Sequence, residues 1–420
     1  MKHPFILLAL VANTVYATPR QTNSINDGPS NEKVENLQSI CLFKTPDAKG
    51  IPYRIPAIAT NKKGHLIALS DYRYCGADIG FGQIDIVGRI SEDNGKTWSE
   101  QFDVAKGNGI AKDHACGYGD AALVADRKKN EILLMCCTGN VTYWNSKRNN
   151  PLRVARLYSH NGGKTWTKPE DITEEIYSLF DKRSDKGLDK LFIGSGKICQ
   201  SSKIKNGKYF RLYAALCTGK GNYVIYSDDF GKKWQVLGDV NQSPAPKGDE
   251  PKCEELPDGS VLLSSRKGYG RFFNIYQYND EKTATGTWAQ AVASHDCEGG
   301  IKTGANSTNG EVAVVRVKRT SDGKKMNLIL QSLPTADNRA NVSIFYKALE
   351  KAEDYNTPEK LASHWEGSYQ VSYTGSAYST FCIQKDKRIG FFYEEEPGYY
   401  NMIYRALDLE EITNGKYKMR

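Results

Sequence analysis

A six-bladed β-propeller, an all-β fold forming one domain, is the architecture this sequence predicts. Three observations lead there: a turn motif repeated at fixed spacing, many short strand-like runs, and the near absence of helical periodicity. The motif occurs as Ser91-Glu-Asp-Asn-Gly-Lys-Thr-Trp98, Ser159-His-Asn-Gly-Gly-Lys-Thr-Trp166 and Ser227-Asp-Asp-Phe-Gly-Lys-Lys-Trp234, with successive starts 68 residues apart. A long fixed period means a repeat architecture. Asp and Gly close a tight turn, Gly supplies the positive φ, and Trp folds back as a plug. These octets are expected to be outer turns with no chemistry of their own, and a degenerate fourth lies near Thr285–Trp288.

Runs rich in Val, Ile and Tyr flank the octets, among them Ile84–Ile90, Val154–Tyr158 and Tyr223–Tyr226; others follow at Val261–Ser264, Val312–Val317 and Ile389–Tyr393. They read as strands. A helical period surfaces only around Ala348–Tyr355. Dividing the repetitive part of the chain by its period gives five to six blades, and we take six. The expected propeller runs over 39–412, with a C-terminal tail at 413–420.

The chain begins with Lys2, an apolar stretch from Phe5 to Ala12, and Val15-Tyr16-Ala17. That pattern reads as a signal peptide over 1–17, cleaved after Ala17, so the protein is expected to be secreted or periplasmic. Residues 18–38, rich in Asn, Ser, Pro and Gly, read as a flexible lead-in. Among its 420 residues, 57 Lys and Arg against 49 Asp and Glu give a net charge of +8, without a basic block in the sequence. This mild excess suits anionic ligands and does not point to nucleic acid. No apolar run is long enough to span a membrane. Ten cysteines in an exported chain make some disulfides plausible, although the adjacent Cys136 and Cys137 would point to opposite faces of a strand. No CxxC pair and only six His give no metal signature.

A propeller binds ligand where loops of several blades converge, so site residues should be scattered along the chain. Tyr53-Arg54-Ile55-Pro56 opens the first blade, and a polar loop, Asp71-Tyr-Arg73-Tyr-Cys-Gly-Ala-Asp78, follows. Together with the octets, this Arg-Ile-Pro start resembles the bacterial and animal exo-α-sialidases (neuraminidases). The resemblance continues through Asp249-Glu250-Pro251 ahead of Glu255-Leu-Pro-Asp-Gly-Ser260 and Arg266, through Arg339, and through Tyr378-Ser379 upstream of Ile389-Gly-Phe-Phe-Tyr-Glu394. It covers roughly residues 40–410.

What the resemblance implies is a retaining exo-α-sialidase without an obligatory cofactor or metal, monomeric, acting on terminal sialic acid of glycoconjugates. The related alternatives are a trans-sialidase, an intramolecular trans-sialidase, and a non-catalytic sialoglycan-binding propeller. It makes Tyr378 the nucleophile, Glu250 its base and Asp78 the general acid, with Asp71 the other candidate in that loop. Arg54, Arg266 and Arg339 would hold the substrate carboxylate, Glu394 would brace Arg54, and Arg73 and Asp120 would face the sugar. Tyr143 or Trp144 would line an N-acetyl pocket. The chemistry is coherent: a guanidinium cluster binds a permanently charged carboxylate by bidentate bonds. A neutral phenol also approaches that anionic sugar without the repulsion a carboxylate nucleophile would meet.

Overall fold

The computed structural model describes residues 39–305, 307–396 and 399–420, so the expected signal peptide and lead-in lie outside the described residues. Six sheets form a six-bladed β-propeller, antiparallel apart from the short parallel pairing of Gly196–Lys197 with Ala122–Leu123 in blade 2. Blade 1 runs through Tyr53–Thr60, Leu66–Tyr72, Asp85–Ser91 and Phe102–Ala105 from the axis outward. The innermost strands of blades 2 to 6 are Tyr118–Ala125, Cys199–Asn206, Pro251–Glu255, Val312–Arg319 and Ser376–Ile383.

The ring closes where Ile40–Phe43 pairs with Asn401–Leu407, making the first strand among the described residues the outer strand of blade 6. That closure removes the free edge an open stack would present. Residues 413–420 are not a tail: Tyr417–Met419 pairs with Val312–Arg319 of blade 5, and Tyr417 is buried. The segment with helical period is helical only in part: its first two residues end the strand Ala340–Leu349, and Ala352–Asp354 turns as a 3-10 helix.

Six apolar clusters hold the ring together, and each spans one pair of neighbouring blades. Ile67 and Leu69 of blade 1 meet Leu123 and Leu134 of blade 2, and Phe43, Phe392 and Tyr404 of blade 6 meet Tyr53 and Ile58 of blade 1. A strand inside such a stack is apolar on both faces, which is why Leu66–Tyr72 and Ile132–Thr138 are buried at every residue instead of alternating.

The octets join the third and fourth strands of blades 1 to 3. Ser91 Oγ accepts from the Gly95 N–H at 2.8 Å, Asp93 accepts from the Thr97 N–H at 2.9 Å, and the Trp98 indole donates to the Gly95 carbonyl at 3.2 Å. Two consecutive residues take positive φ, the Gly and the one before it: Asn94, Gly162 and Phe230. The fourth candidate is no such turn. Thr285–Trp288 is the outer strand of blade 4, and the Trp288 indole donates to the Leu237 carbonyl in blade 3 at 2.7 Å.

All ten cysteines are free thiols, against the expectation of disulfides. Most sit inside the blade packing, where Cys136 and Cys137 do face opposite ways, into separate clusters.

Candidate functional site

Every innermost strand starts at the same end of the axis, and a cavity of about 310 Å³ opens there. Arg54, Arg73, Asp78, Asp120, Asp249, Glu250, Arg266, Arg339 and Tyr378 all line it. The site therefore draws on blades 1, 2, 4, 5 and 6, from positions more than 320 residues apart in sequence.

A recurring backbone device aims the side chains. The innermost strands of blades 1, 2 and 6 each break register, at Arg54/Ala57, Gly119/Ala122 and Ser376/Ser379. Ile55 and Asp120 within these bulges adopt φ of +56°. Left-handed geometry is costly for a β-branched residue such as Ile55, and it persists only where surrounding contacts over-determine it. Here a buried carboxylate supplies those contacts. Glu394, on the second strand of blade 6, accepts from the Ile55 N–H at 2.8 Å and the Tyr378 N–H at 3.2 Å, and grips Arg54 through Nε at 2.8 Å. Asp71, on the second strand of blade 1, repeats the pattern one blade on: it accepts from the Asp120 N–H at 3.0 Å and from Arg73 Nη2 at 2.9 Å.

Asp71 is thereby fully buried beneath the cavity and absent from its lining, whereas Asp78 lies on the wall with its side chain 64% exposed and 3.2 Å from Arg73 Nη2. Arg73 is ringed by three acids, with Asp120 Oδ1 at 3.9 Å. Burial pushes the Asp71 carboxyl up to about 6 although Arg73 opposes the rise, and burial together with the charges of Asp78 and Asp71 raises Asp120 well above the carboxylate range.

Across the cavity, Tyr378 Oη donates to Glu250 Oε1, and Glu250 Oε2 accepts from Arg266 Nη1 at 2.6 Å. Arg266 also touches Asp249 at 2.9 Å. Burial works to raise Glu250, but the Arg266 guanidinium and hydrogen bonds from Asp249 and Tyr378 win and hold it near 2. Burial and the adjacent Glu250 charge lift Asp249 to about 7, so this acid pair keeps a proton near neutrality. Burial and the Glu250 charge likewise keep the Tyr378 phenol protonated, far above its ordinary value.

Arg54, Arg266 and Arg339 come from blades 1, 4 and 5 and converge on the cavity, and Arg339 has no carboxylate within ion-pair distance among the described residues. Ile79, Leu152 and Phe192 make an apolar wall with Tyr143, whose ring meets Phe192 edge-on at 5.0 Å, while Trp144 stands 78% exposed at the rim. Sequence reasoning missed most of the apolar wall and an aromatic neighbour of Arg54. Ile79, Leu152 and Phe192 belong to no quoted motif, Phe192 lying on the short strand Leu191–Ile193 in the sheet of blade 3, and Tyr400, whose ring lies 4.9 Å from the Arg54 guanidinium, directly precedes the strand Asn401–Leu407 without a signal of its own.

The shifts set a stability profile. Asp71, Asp120 and Asp249 hold their protons more tightly folded than unfolded, so their contribution is complete below about pH 4 and is lost as pH rises through 6 and 7. Glu250 is depressed, so its contribution is present above about 4.5 and lost as pH falls toward 2. On these groups the melting temperature is expected to be highest near about pH 4 and to decline as pH rises to 8. A scan rising steadily from pH 5 to 8 would contradict these assignments.

Comparison with known proteins agrees with this architecture. The family model described as a BNR repeat-like domain matches residues 55–353. A sialidase of Paraclostridium sordellii is 28% identical over 250 residues, covering 56% of this chain and 60% of that protein, and a sialidase of Micromonospora viridifaciens is 29% identical over 273 residues, covering 62% and 40%. The chain thus spans less than two thirds of these curated relatives. Among solved structures, the intramolecular trans-sialidase from Ruminococcus gnavus superimposes with a TM-score of 0.66 at 19% identity, covering 91% of this chain and 99% of that one. Among the described residues no helix is long and apolar enough to cross a membrane. With that family model matched over residues 55–353, more than half of its length, the chain belongs to the BNR repeat-like domain family.

Proposed function

We propose that this protein is a retaining exo-α-sialidase, exported from the cell, that releases terminal sialic acid from glycoproteins, glycolipids or oligosaccharides through a tyrosyl-enzyme intermediate. The observation that carries the reading is the convergence of three guanidiniums on a cavity where Tyr378 is bonded to Glu250 and Asp78 stands on the opposing wall. Three cations gathered in a partly desolvated pocket are matched by an anionic ligand. The cavity volume suits one monosaccharide-sized ligand.

In this reading the sugar carboxylate lies among Arg54, Arg266 and Arg339, and N-acetyl packs on the Ile79, Leu152 and Phe192 wall. Tyr378 Oη attacks the anomeric carbon, its proton passes to Glu250, the bond to the aglycone breaks, and Asp78 protonates the leaving oxygen. Asp78 then takes a proton from water, the resulting hydroxide displaces Tyr378 from the anomeric carbon, and Glu250 returns the phenol proton. Two inversions give retention. With Glu250 near 2 and the phenol far above 10, a free phenolate is excluded from the resting site. The proton must move as the new bond forms. Substrate helps: its carboxylate shares the Arg266 guanidinium that depresses Glu250, so binding makes the base stronger.

The test is fluorophore release from an aryl α-sialoside by the purified chain. No turnover by folded protein between about pH 4 and 8 would overturn the reading in favour of a binding propeller. Product analysis separates hydrolysis from transfer, in which a hydroxyl of the bound sugar or of a second glycan replaces water. Asp78→Asn is expected to lose about 10²-fold or more in kcat on a sialyl-oligosaccharide and clearly less on the aryl substrate, whose leaving group departs without a proton. Equal losses on both would remove Asp78 from the acid role.

A further inference from the structure

The basic residues that look dispersed in the sequence are gathered by the fold at the far end of the axis. A second cavity, of about 780 Å³, opens there between the ends of the innermost strands, from Ile58–Thr60 round to Phe381–Ile383. The segments that surround it are 61–65, 126–131, 203–208, 256–260, 316–325 and 384–388, one from each blade. They hold sixteen Lys and Arg against five Asp and Glu, an excess of +11. That exceeds the +8 of the whole chain, so the remainder is net acidic.

Neighbouring segments touch across two of the blade boundaries. A Cβ on Gly64 in blade 1 would meet the Lys385 side chain of blade 6 at 2.7 Å, and Lys129 Nζ of blade 2 lies 3.4 Å from the Lys208 carbonyl of blade 3. Most of the cations are uncommitted. Lys128, Lys203 and Arg316 are exposed on the cavity wall and, among the described residues, have no carboxylate within ion-pair distance. The two acids on that wall are already engaged: Glu254 with Lys197 and the Cys199 thiol, Glu255 with Ser201 and Ser202.

We propose that this end of the propeller is a second, non-catalytic binding site for a polyanionic glycan, a sulfated or carboxylated chain whose charged groups contact the basic ring and enter the cavity. Polyanion binding needs concentrated, unpaired positive charge, which this surface has. Single-stranded nucleic acid and bilayers need in addition stacking or insertion by exposed aromatic and apolar side chains. Those stand elsewhere: the seven exposed large hydrophobic side chains of the described surface, Phe81 and Trp144 among them, all lie in loops of the opposite end. Phe210, on the cavity wall, is half-buried and has the Arg127 guanidinium 4.9 Å from its ring. The geometry separates the two functions along the axis, leaving the sialidase-type cavity free while a glycan chain is held behind it. The proposal stands independently of turnover at the first site.

The experiment titrates a fluorescein-labelled heparin oligosaccharide with the purified full chain at about 0.1 M salt, where charge contacts still act. Compared are wild type, the triple variant Lys128→Glu, Lys203→Glu, Arg316→Glu, and a control with the same charge change at the other end, Lys106→Glu, Lys112→Glu, Lys182→Glu. Expected are saturable wild-type binding that weakens steeply with salt, a loss of about tenfold or more in the triple variant, and a change within about twofold in the control. Activity on the aryl sialoside should be the same in all three. No wild-type binding, or equal losses in both variants, would overturn the site. Duplex DNA or anionic vesicles bound as tightly as heparin, with the same dependence on the triple variant, would overturn the glycan assignment. Should the triple variant melt early, Lys→Gln and Arg→Gln at the same positions carry the comparison.

Discussion

Tyr378→Phe is expected to lower kcat on an aryl α-sialoside by about 10³-fold or more while leaving KM within a few-fold, because it deletes one oxygen that acts only in bond making. The ring remains 5.9 Å from the Arg54 guanidinium, so packing around the carboxylate clamp is retained. One further effect is expected from the geometry. The lost phenol was a donor to Glu250, leaving Arg266 and Asp249 as that carboxylate's remaining strong partners, so its pKa should rise. Glu250→Gln should also depress kcat severely, and the double variant should lose little more than the worse single one, since the two act as a unit. Additive losses would argue that they do not share the proton. Undiminished turnover in Tyr378→Phe would remove the tyrosyl-enzyme mechanism.

Arg266→Met should damage both binding and stability. It removes one of three guanidiniums from the carboxylate site, so KM should rise by about tenfold or more. It also strips the partner from Glu250, whose side chain is 11% exposed against 13% for Arg266. Breaking a buried pair on one side costs about 3–5 kcal/mol, because the remaining charge is left without compensation. The sign in pH follows from Glu250. Its depressed pKa means that the pair's contribution is present above about pH 4.5 and disappears as pH falls toward 2. The gap in melting temperature between wild type and Arg266→Met should therefore be widest near neutral pH and narrow steadily on acidification. A gap independent of pH would show that Arg266 stabilises by packing alone.

How much of this was legible beforehand differs from feature to feature. The octets disclosed the architecture because their turn chemistry is local: a Ser, an acidic or amide side chain and a Gly bond within eight residues. The six-blade count and the strand positions followed from that spacing and from β-branched runs. Residues 413–420 and Thr285–Trp288 were misread because their partners lie in distant or neighbouring blades, and no local pattern encodes a pairing between Tyr417 and Arg319.

Arg54, Asp78, Glu250, Arg266, Arg339 and Tyr378 could be singled out only through the resemblance of short motifs, since composition and periodicity say nothing of which of 25 tyrosines reaches a cavity. Their convergence, and the equivalence of Asp71 and Glu394 as buried anchors of strained bulges, belong to the tertiary structure. The same holds for charge. A net charge of +8 and a repeat of strands and turns can be read from the chain alone; the ring closure decided that the basic residues meet at one end and the exposed aromatic residues at the other. The physical reason is that each blade contributes only one or two residues to either end, so a cluster exists only after blades far apart in sequence are brought around a common axis.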